Sequence, residues 1–315
     1  MAKPTPITFH VPASAANLGP GYGVLAVALD LPLGITVEPR SDAMIVIERR
    51  DDPSANHDDG RHDPVLRGLR RGAELFDVSL AKGVTIVVEG TIPRGTGMGT
   101  ISAGFAAGLS AAVRLSKKKL TPSQVLDALV PLGGDPAHGA AALLGGLTAT
   151  VQLSMPQEPT LRLLPLPQPI HAGWHYVIAL PDVQMGTADT KRVLPPTVPH
   201  ATATRSTGRA LGVLHALQHG DEELLRQSIV DELTLPYRKR LVPGMHEALA
   251  AAVEAGAAGA TICGHGPGII AFTMVAGRSA EIARAMVHAC GKAGTEATTL
   301  TLQTAHYGAL PGTAS

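Results

Sequence analysis

The sequence predicts an α+β protein of two domains, and three observations lead to that prediction. The chain has 315 residues, and a globular domain takes roughly 150 residues. Hydrophobic residues make up 45% of the chain and charged residues 17%, a composition that supports a large core and excludes wholesale disorder. Short β-branched runs and longer Ala- and Leu-rich runs are mixed along the chain without a fixed-period repeat, which is typical of α+β architecture.

Strands are predicted where short apolar runs are bounded by turn-forming residues. Residues 83–90 are a β-branched run between two glycines, which is typical of a buried strand. Residues 24–31 and 34–39 look like two strands on either side of a turn at residues 32–34. The other predicted strands lie at 7–11, 44–50, 143–153 and 175–182, in two pieces within 259–275, and at 295–303.

Helices are predicted from apolar spacing and from end signals. Val65, Leu69 and Leu75 recur at near-helical spacing, so residues 65–75 are predicted to form an amphipathic helix. Thr121 stands before Pro122 as an N-cap before a proline at the first helical position, which predicts a helix over 122–130. The other predicted helices follow the Gly-rich stretch up to residue 115 and cover 201–220, 221–231, 244–256 and 279–294.

A change of composition near residue 156 predicts the domain boundary. Residues 156–169 contain five prolines in fourteen positions, a pattern that favours an extended crossing segment or a linker. We therefore expect one domain over residues 1–155 and a second over residues 156–315.

The charge balance and the cysteine content of the chain restrict the classes of partner and the cellular location that we expect. Lys plus Arg and Asp plus Glu both number 26, so the formal net charge is zero with His neutral. That balance argues against nucleic acid as the main partner and against a polybasic membrane anchor. Two cysteines support no disulfide framework, and no segment has the apolar length of a membrane span or the core of a signal peptide. We expect a cytoplasmic protein, with a homodimer as the default assembly.

The strongest local motif is PRGTGMGTISA at residues 93–103. Its glycines at alternate positions let the backbone approach a ligand closely. A helix is predicted immediately afterwards, and the free N–H groups of a helix start favour an anion such as phosphate. The spacing matches neither the P-loop nor the dinucleotide fingerprint, so the motif alone leaves a plain turn before a helix as an equal alternative.

Two further Gly-containing stretches, SAANLGPG at 14–21 and CGHGPG at 263–268, complete a pattern. Together the three resemble the motifs of the GHMP kinases, and most closely those of the homoserine kinase branch. The resemblance extends in order from about residue 7 to 275. Its matched segments are VPASAANLGPGYGVLAVALDL at 11–31, IPRGTGMGTISA at 92–103, ALLGG at 142–146, KRVLP at 191–195, PYRKRLVPG at 236–244 and GHGPG at 264–268.

The resemblance implies an N-terminal domain like that of ribosomal protein S5, a ferredoxin-like C-terminal domain, and a site between them that uses ATP and Mg²⁺ to phosphorylate the hydroxyl of a small amino-acid-like substrate. The implied ATP-binding residues are Pro93, Gly95, Gly97, Gly99, Thr100 and Ser102. The candidate substrate-binding residues are Asn17, Thr187, Lys191, Arg192, Arg238, Gly264, His265 and Gly266. Among them Arg238 suits bidentate recognition of a carboxylate.

This chain departs from the family pattern around the metal and the reaction centre. The two positions that hold magnesium ligands in the family carry Ile101 and Gly133, and the acidic position near the substrate hydroxyl carries Gly23. The family's Asp-Asn pair at the reaction centre falls on Ala137 and His138. Thr100 keeps a hydroxyl, and Asp135 is the candidate replacement carboxylate for a weakly held magnesium ion.

His138 and His265 therefore become candidates for acid–base chemistry near neutral pH, and we take His138, Thr100 and Asp135 as the candidate catalytic residues. Three functions remain open from the residues. One is an ATP-dependent kinase of a homoserine-like amino acid. The second is a different enzyme on the same scaffold, a lyase, cyclase or isomerase that uses His138. The third is a non-catalytic ligand-binding relative.

Overall fold

The computed structural model describes residues 5–51, 62–155, 157–158 and 160–312, apart from the side chains of Thr187 and Ala188. The strands are β1 (Ile7–Ala16), β2 (Leu25–Pro39), β3 (Ile45–Arg49), β4 (Val84–Glu89), β5 (Leu147–Gln152), β6 (Leu163–Gln168), β7 (His175–Pro181), β8 (Gly259–Ile262), β9 (Ile269–Thr273) and β10 (Ala297–Gln303). The helices are α1 (Pro64–Phe76), α2 (Thr100–Leu115), α3 (Pro122–Leu129), α4 (Pro136–Leu144), α5 (Thr187–Arg192), α6 (His200–His219), α7 (Glu222–Ser228), α8 (Leu235–Arg238), α9 (Met245–Glu254) and α10 (Ser279–Lys292).

The strands form two sheets, as expected for an α+β protein. The first sheet has the order β3-β4-β2-β5-β6, with β1 paired along the other edge of β2. The second has the order β10-β7-β9-β8, and its neighbouring strands are antiparallel. Short 3-10 helices lie at Val130–Leu132, Lys239–Leu241 and Ala276–Arg278.

The predicted turn at residues 32–34 is wrong, because β2 runs without a break from Leu25 to Pro39. Pro32 lies opposite Pro12 of β1, and the register shifts directly after Pro12. A proline cannot donate to a ladder, and a register irregularity is one of the places where a sheet accommodates it. The prolines were therefore a feature of two paired strands and not of a loop.

The Pro-rich stretch after residue 155 is extended, as predicted, but part of it is a strand and not a linker. Residues Leu163–Gln168 form β6, an edge strand that pairs with β5 in the first sheet. Prolines are tolerated on an edge strand because one side of it needs no ladder donors. The domain boundary at residue 155 stays a prediction.

Helix starts follow the expected local chemistry. Thr121 caps α3 with a full capping box: its hydroxyl accepts from the backbone N–H of Gln124, and the Gln124 side chain accepts from the N–H of Thr121. Asp63 caps α1 with its side chain alone, which accepts from the backbone N–H groups of Val65 and Leu66. Among the described segments, α4, α5 and α8 were not predicted, because each is short and lacks an apolar stripe of its own.

Small residues allow helices α1 and α2 to pack very closely. A Cβ built on Gly108 would lie 1.9 Å from the carbonyl oxygen of Val65, and one on Gly68 would lie 2.5 Å from that of Phe105. Backbone carbonyls cannot move aside as a side chain can, so these positions require glycine. The contact fixes α2 over the first sheet, and the start of α2 is part of the site described below.

No helix within the described part of the chain is long and apolar enough to cross a membrane. The cytoplasmic location and the homodimer stay predictions.

Replacing Gly108 with alanine should destabilise the protein, by about 1–3 kcal/mol, because the added methyl group forces the two helices apart. Gly208 in the middle of α6 provides the control, since a Cβ there meets no atom within 4 Å. The Gly208→Ala variant should be more stable by about 0.4–1 kcal/mol, through the smaller entropy of its unfolded chain. Urea denaturation of both variants measures the difference, and equal effects of the two substitutions would contradict the packing argument.

Candidate active site

The loop between β4 and α2 has the geometry of an anion-binding turn. Gly95, Gly97 and Gly99 all have positive φ angles, of 70°, 82° and 74°. The hydroxyls of Thr96 and Thr100 both donate to the carbonyl oxygen of Pro93, at 2.8 and 2.9 Å. Helix α2 then begins with Gly99 as its N-cap and without a side-chain cap. The first backbone N–H groups of this 16-residue helix are therefore open to a bound anion.

The turn between β8 and β9 packs directly on that loop. The backbone N–H of Gly268 donates to the carbonyl oxygen of Thr96 at 3.1 Å, and the Cys263 thiol lies 3.4 Å from the carbonyl oxygen of Gly97. A Cβ on Gly97 would lie only 2.0 Å from the carbonyl oxygen of Cys263. Burial raises the pKa of the Cys263 thiol to about 12, so it is a packing group here and not a thiolate nucleophile.

Asn17 joins the loop after β1 to the same turn. It adopts a left-handed backbone with φ 74°, a conformation that Asn tolerates better than most residues. Its side-chain amide donates to the carbonyl oxygen of Gly264 at 2.7 Å and accepts from the backbone N–H of Gly23 at 2.9 Å. The three Gly-containing stretches singled out in the sequence therefore meet at one place.

His138 lies where these loops converge. It belongs to the first turn of α4 and is 4% exposed. Its Nδ1 atom is 2.8 Å from the Ser14 hydroxyl of β1. Burial lowers the pKa of the His138 imidazole, against the opposing effect of the Asp135 carboxylate. The ring is therefore neutral at neutral pH.

Asp135 is the N-cap of α4. Its Oδ1 atom accepts from the backbone N–H of His138 at 3.0 Å, and its own backbone N–H donates to the Ser102 hydroxyl at 3.0 Å. Its Oδ2 atom lies 3.8 Å from Nε2 of His265. Burial lowers the pKa of His265 to about 4, with Asp135 opposing the shift. That imidazole is therefore neutral at pH 7, and its contact with Asp135 is not an ion pair.

Arg238 is fully buried, at 0% exposure. Its Nε atom donates to the carbonyl oxygen of Thr190 at 3.2 Å, and its guanidinium carbon lies 5.3 Å from the centre of the Tyr22 ring. Its Nη1 and Nη2 atoms have no hydrogen-bond partner within the described part of the chain. Burial lowers the pKa of Arg238, against the opposing effects of the nearby Tyr22 hydroxyl and of the Asp231 and Asp135 carboxylates, and a guanidinium stays protonated in proteins. A buried cation with two unsatisfied donor groups is costly unless a ligand completes it.

Two of the cavities that adjoin the loop between β4 and α2 also reach the start of that helix. The smaller has a volume of about 120 Å³. It is lined by Gly95, Gly97, Gly99, Thr100, Ile101, Ser102, Gly133, Asp135, His138, Met185, Thr190, His265 and Gly266. The larger, of about 330 Å³, has apolar lining residues at Leu33, Val65, Val88 and Ile92. Its polar lining residues include Arg49, Asp51, His62 and Arg94. Gly95, Thr100 and Ile101 line both cavities, so the start of α2 forms a wall that the two cavities share.

The remaining candidate substrate residues are spread over α5 and its surroundings. Lys191 and Arg192 are both exposed, and Arg192 lies 3.4 Å from Asp189 in a solvent-facing pair. The charge of Lys191 contributes to the lowered pKa of His265, so Lys191 lies within electrostatic range of the smaller cavity. The side chain of Thr187 lies outside the part of the chain that the structure describes.

The positions that carry magnesium ligands in the resembling family provide no oxygen here. Ile101 is 55% exposed between the two cavities, and a Cβ on Gly133 would meet no atom within 4 Å. Asp135 is the one acidic side chain that lines the smaller cavity. Among the described residues, no group of three or more His, Cys, Asp or Glu side chains is arranged to hold a metal ion.

Sequence reasoning missed Ser14, Tyr22 and Thr190, although each contacts a predicted residue. Ser14 and His138 are 124 positions apart, and nothing in their local sequence links them. Thr190 contributes through its backbone carbonyl, which no residue pattern marks. Ser14 and Tyr22 both lie inside the matched opening segment at 11–31, which was the only signal available for them.

A Gly-rich loop that opens a helix beside these cavities, with a turn from a second sheet seated on it, is the kind of site that suits the phosphate group of a small molecule. Residues 65–147 match the family described as GHMP kinases N terminal domain, and residues 213–293 match GHMP kinases C terminal. The chain belongs to the GHMP kinase family.

Relatives and solved structures agree with that assignment. The chain is 33% identical over 277 residues to a homoserine kinase of Thermus thermophilus, covering 88% of this chain and 90% of the relative. It is 32% identical over 303 residues to a homoserine kinase of Moorella thermoacetica, covering 96% and 98%. Its fold resembles that of homoserine kinase from Cytophaga hutchinsonii, with a TM-score of 0.82, 23% identity and 96% coverage of both chains. Mevalonate kinase of L. major in complex with R-mevalonate has a TM-score of 0.71 at 16% identity, covering 97% and 99%.

The capping role of Asp135 can be separated from its charge. Asp135→Ala removes the acceptor for the His138 N–H and should destabilise the protein by about 1 kcal/mol, within the range known for lost N-caps. Asp135→Asn keeps an oxygen at the same place and should have nearly the stability of the unchanged protein. Thermal unfolding of the two variants tests this, and an equal loss in both would show that the charge and not the cap matters.

Proposed function

We propose that this protein transfers the γ-phosphoryl group of ATP to the hydroxyl of a small amino acid, with homoserine as the default substrate. The observation that carries the proposal is the buried guanidinium of Arg238, whose two Nη atoms have no partner among the described residues. The homoserine kinases among the relatives support the substrate class.

A carboxylate satisfies the unpaired donors of Arg238. The planar guanidinium presents two parallel N–H groups that match the two oxygens of a carboxylate. The Nε atom is already used by the carbonyl oxygen of Thr190, which also lines the smaller cavity. That bond fixes the direction of the guanidinium plane, so the Nη donors of Arg238 are already oriented when the substrate's carboxylate binds. The rest of a homoserine-sized molecule then extends toward the Gly-rich loop.

The larger cavity suits the base and sugar of a nucleotide. Its volume of about 330 Å³ and its apolar walls fall in the range of small-ligand pockets. Because it shares Gly95, Thr100 and Ile101 with the smaller cavity, a nucleotide in it has its phosphates on the start of α2. The terminal phosphate then faces the substrate side.

In the proposed reaction the substrate hydroxyl oxygen forms a bond to the γ-phosphorus, the bond from that phosphorus to the β–γ bridging oxygen breaks, and the hydroxyl proton is released. This chain's residues position the two reactants and stabilise phosphoryl charge through the N–H groups at the start of α2. Asp135 would hold a magnesium ion, because it lines the cavity and its Oδ2 atom has no hydrogen bond with the described residues, His265 Nε2 lying 3.8 Å away. Such an ion, bound mainly by phosphates and one carboxylate, adds positive charge beside the phosphate oxygens.

A second candidate, a proton-transfer enzyme on the same scaffold, is favoured by one observation. The positions of the family's metal ligands hold Ile101 and Gly133, while two imidazoles, His138 and His265, line the smaller cavity. This candidate predicts turnover of an amino-acid-like compound without any need for ATP. The non-catalytic alternative predicts ligand binding without turnover.

A thermal-shift titration with ATP, with and without Mg²⁺, followed by a homoserine phosphorylation assay, tests the proposal. A ligand at 100 times its dissociation constant should stabilise the native state by about 2.7 kcal/mol. We expect ATP to raise the unfolding temperature and homoserine to be phosphorylated. Absence of an ATP effect in both conditions would reject the kinase. An ATP effect without turnover of homoserine or other amino-acid alcohols would favour the non-catalytic alternative.

Substitution of Arg238 should lower the turnover of substrates that have a carboxylate more than the turnover of substrates that lack one. Arg238→Lys and Arg238→Met should lower kcat/KM for homoserine by about 10²-fold or more, since lysine loses the planar pair of donors and methionine loses the charge as well. For 3-aminopropan-1-ol, which has the hydroxyl and the amine without the carboxylate, the same variants should lose much less. Thermal midpoints of both variants control for folding. An equal loss for the two substrates would contradict a carboxylate-binding role.

A further inference from the structure

The hydroxyl of Ser14 and the ring of His138 form a buried pair under the anion-binding loop. Ser14 is 0% exposed, and His138 Nδ1, at 2.8 Å, is the one hydrogen-bond partner of its hydroxyl within the described part of the chain. A Cβ on Gly99 would lie 2.5 Å from the Ser14 hydroxyl oxygen and 2.7 Å from Nδ1. The pair therefore lies directly against the residue that caps helix α2.

Counting protons decides which group donates. A neutral imidazole carries its proton either on Nδ1 or on Nε2. If Nδ1 carried it and donated to Ser14, the hydroxyl proton of Ser14 would be buried with no acceptor among the described residues. If Ser14 donates to Nδ1, every proton of the pair is satisfied and the ring proton lies on Nε2. Because leaving a buried donor unpaired is unfavourable, the second arrangement is the stable one.

The Nε2 atom lies at the ligand cavity. The His138 ring is part of the cavity wall, and Nε2 makes no hydrogen bond with the residues that the structure describes. Gly264 passes beside it, and a Cβ there would lie 2.6 Å from Nε2 and 2.5 Å from the carbonyl oxygen of Gly97. The missing side chain at Gly264 therefore leaves Nε2 unobstructed next to the loop that holds the phosphates.

We propose that His138 acts as a neutral hydrogen-bond donor, through Nε2–H, to a phosphoryl oxygen of the bound ligand, and that Ser14 is the positioning residue that fixes this tautomer. The inference rests on the proposed function for the identity of the ligand. The tautomer itself follows from the protein alone. His138 then adds one donor to the N–H groups of α2 at the same point and takes no proton from the substrate.

This role differs in a testable way from acid–base catalysis. A general base needs a lone pair directed at the substrate hydroxyl, whereas the Ser14 contact leaves the lone pair on Nδ1, facing away from the cavity. A donor aimed at developing charge acts in the transition state, and removal of one such donor typically lowers kcat by about 10²–10³-fold.

The first experiment is NMR of the unmodified protein labelled with ¹⁵N-histidine, at pH 7.5. Correlations from the ring carbon protons to both ring nitrogens report which nitrogen carries the proton, and His138→Asn identifies the His138 signals by their loss. We expect Nε2 protonated and Nδ1 unprotonated in the unmodified protein, and a mixture of tautomers in Ser14→Ala. Protonation on Nδ1 in the unmodified protein would overturn the proposal without bearing on the kinase assay.

The same sample is then titrated with AMPPNP. A shift of the His138 Nε2–H signals upon saturation supports the donor role. Shifts elsewhere in the histidine spectrum without a change at His138 would show that the nucleotide binds and that His138 does not contact it. If no signal moves and no turnover is seen, the proposed function fails and the donor role with it, while the tautomer is still decided by the free protein.

Kinetics of two matched variants complete the test. His138→Asn retains an N–H donor near the same place, and His138→Leu has a similar volume without one. We expect His138→Leu to lose about 10²–10³-fold in kcat with a smaller change in KM, and His138→Asn to recover a large part of that loss. Equal kcat values in the two folded variants would overturn the donor role.

Discussion

The close approach of Gly97 to the carbonyl oxygen of Cys263 is the constraint on which the site depends. A Cβ at Gly97 would be 2.0 Å from that oxygen, so the two backbones touch with no side chain between them. Gly97 belongs to the loop before α2, which follows a strand of the first sheet. Cys263 belongs to the turn after β8, a strand of the second sheet. Since Asn17 also binds this turn through Gly264, a change in the Gly97 contact would move all three loops together. The arrangement of the three loops therefore depends on the contact between the two sheets.

The sequence predicted features whose cause is local and missed those whose cause is tertiary. Thr121 and Pro122 define a helix start within four residues, and the strand at Val84–Glu89 is bounded by its own glycines. The prolines near residues 32 and 165 have a local preference for turns and linkers, and pairing with β1 and β5 overrides it. Local residue preferences are weak compared with the hydrogen bonds and burial that a completed sheet provides.

The same division applies to the site. The three Gly-containing stretches were recognisable because a backbone that passes close to a ligand or another backbone requires glycine at particular positions. Arg238 was recognisable within a matched segment, although its unsatisfied Nη atoms required coordinates. The pairing of Ser14 with His138 was beyond sequence reasoning, because serine and histidine are common residues and only the fold brings β1 to α4.

By the resemblance, Gly133 and Gly23 stand where the family has acidic side chains. A Cβ at either glycine meets no atom within 4 Å, so no other side chain fills the space next to them. Fewer carboxylates weaken the attraction for a cation, and they also weaken the repulsion of an anionic ligand. In a cavity with few carboxylates, fixed hydrogen-bond donors can stabilise the negative charge of a phosphate directly. No metal ion is then needed to offset neighbouring carboxylates. In the proposed site, neutral His138 and the start of α2 would be donors of that kind, and Arg238 would act from behind Thr190 in the cavity wall.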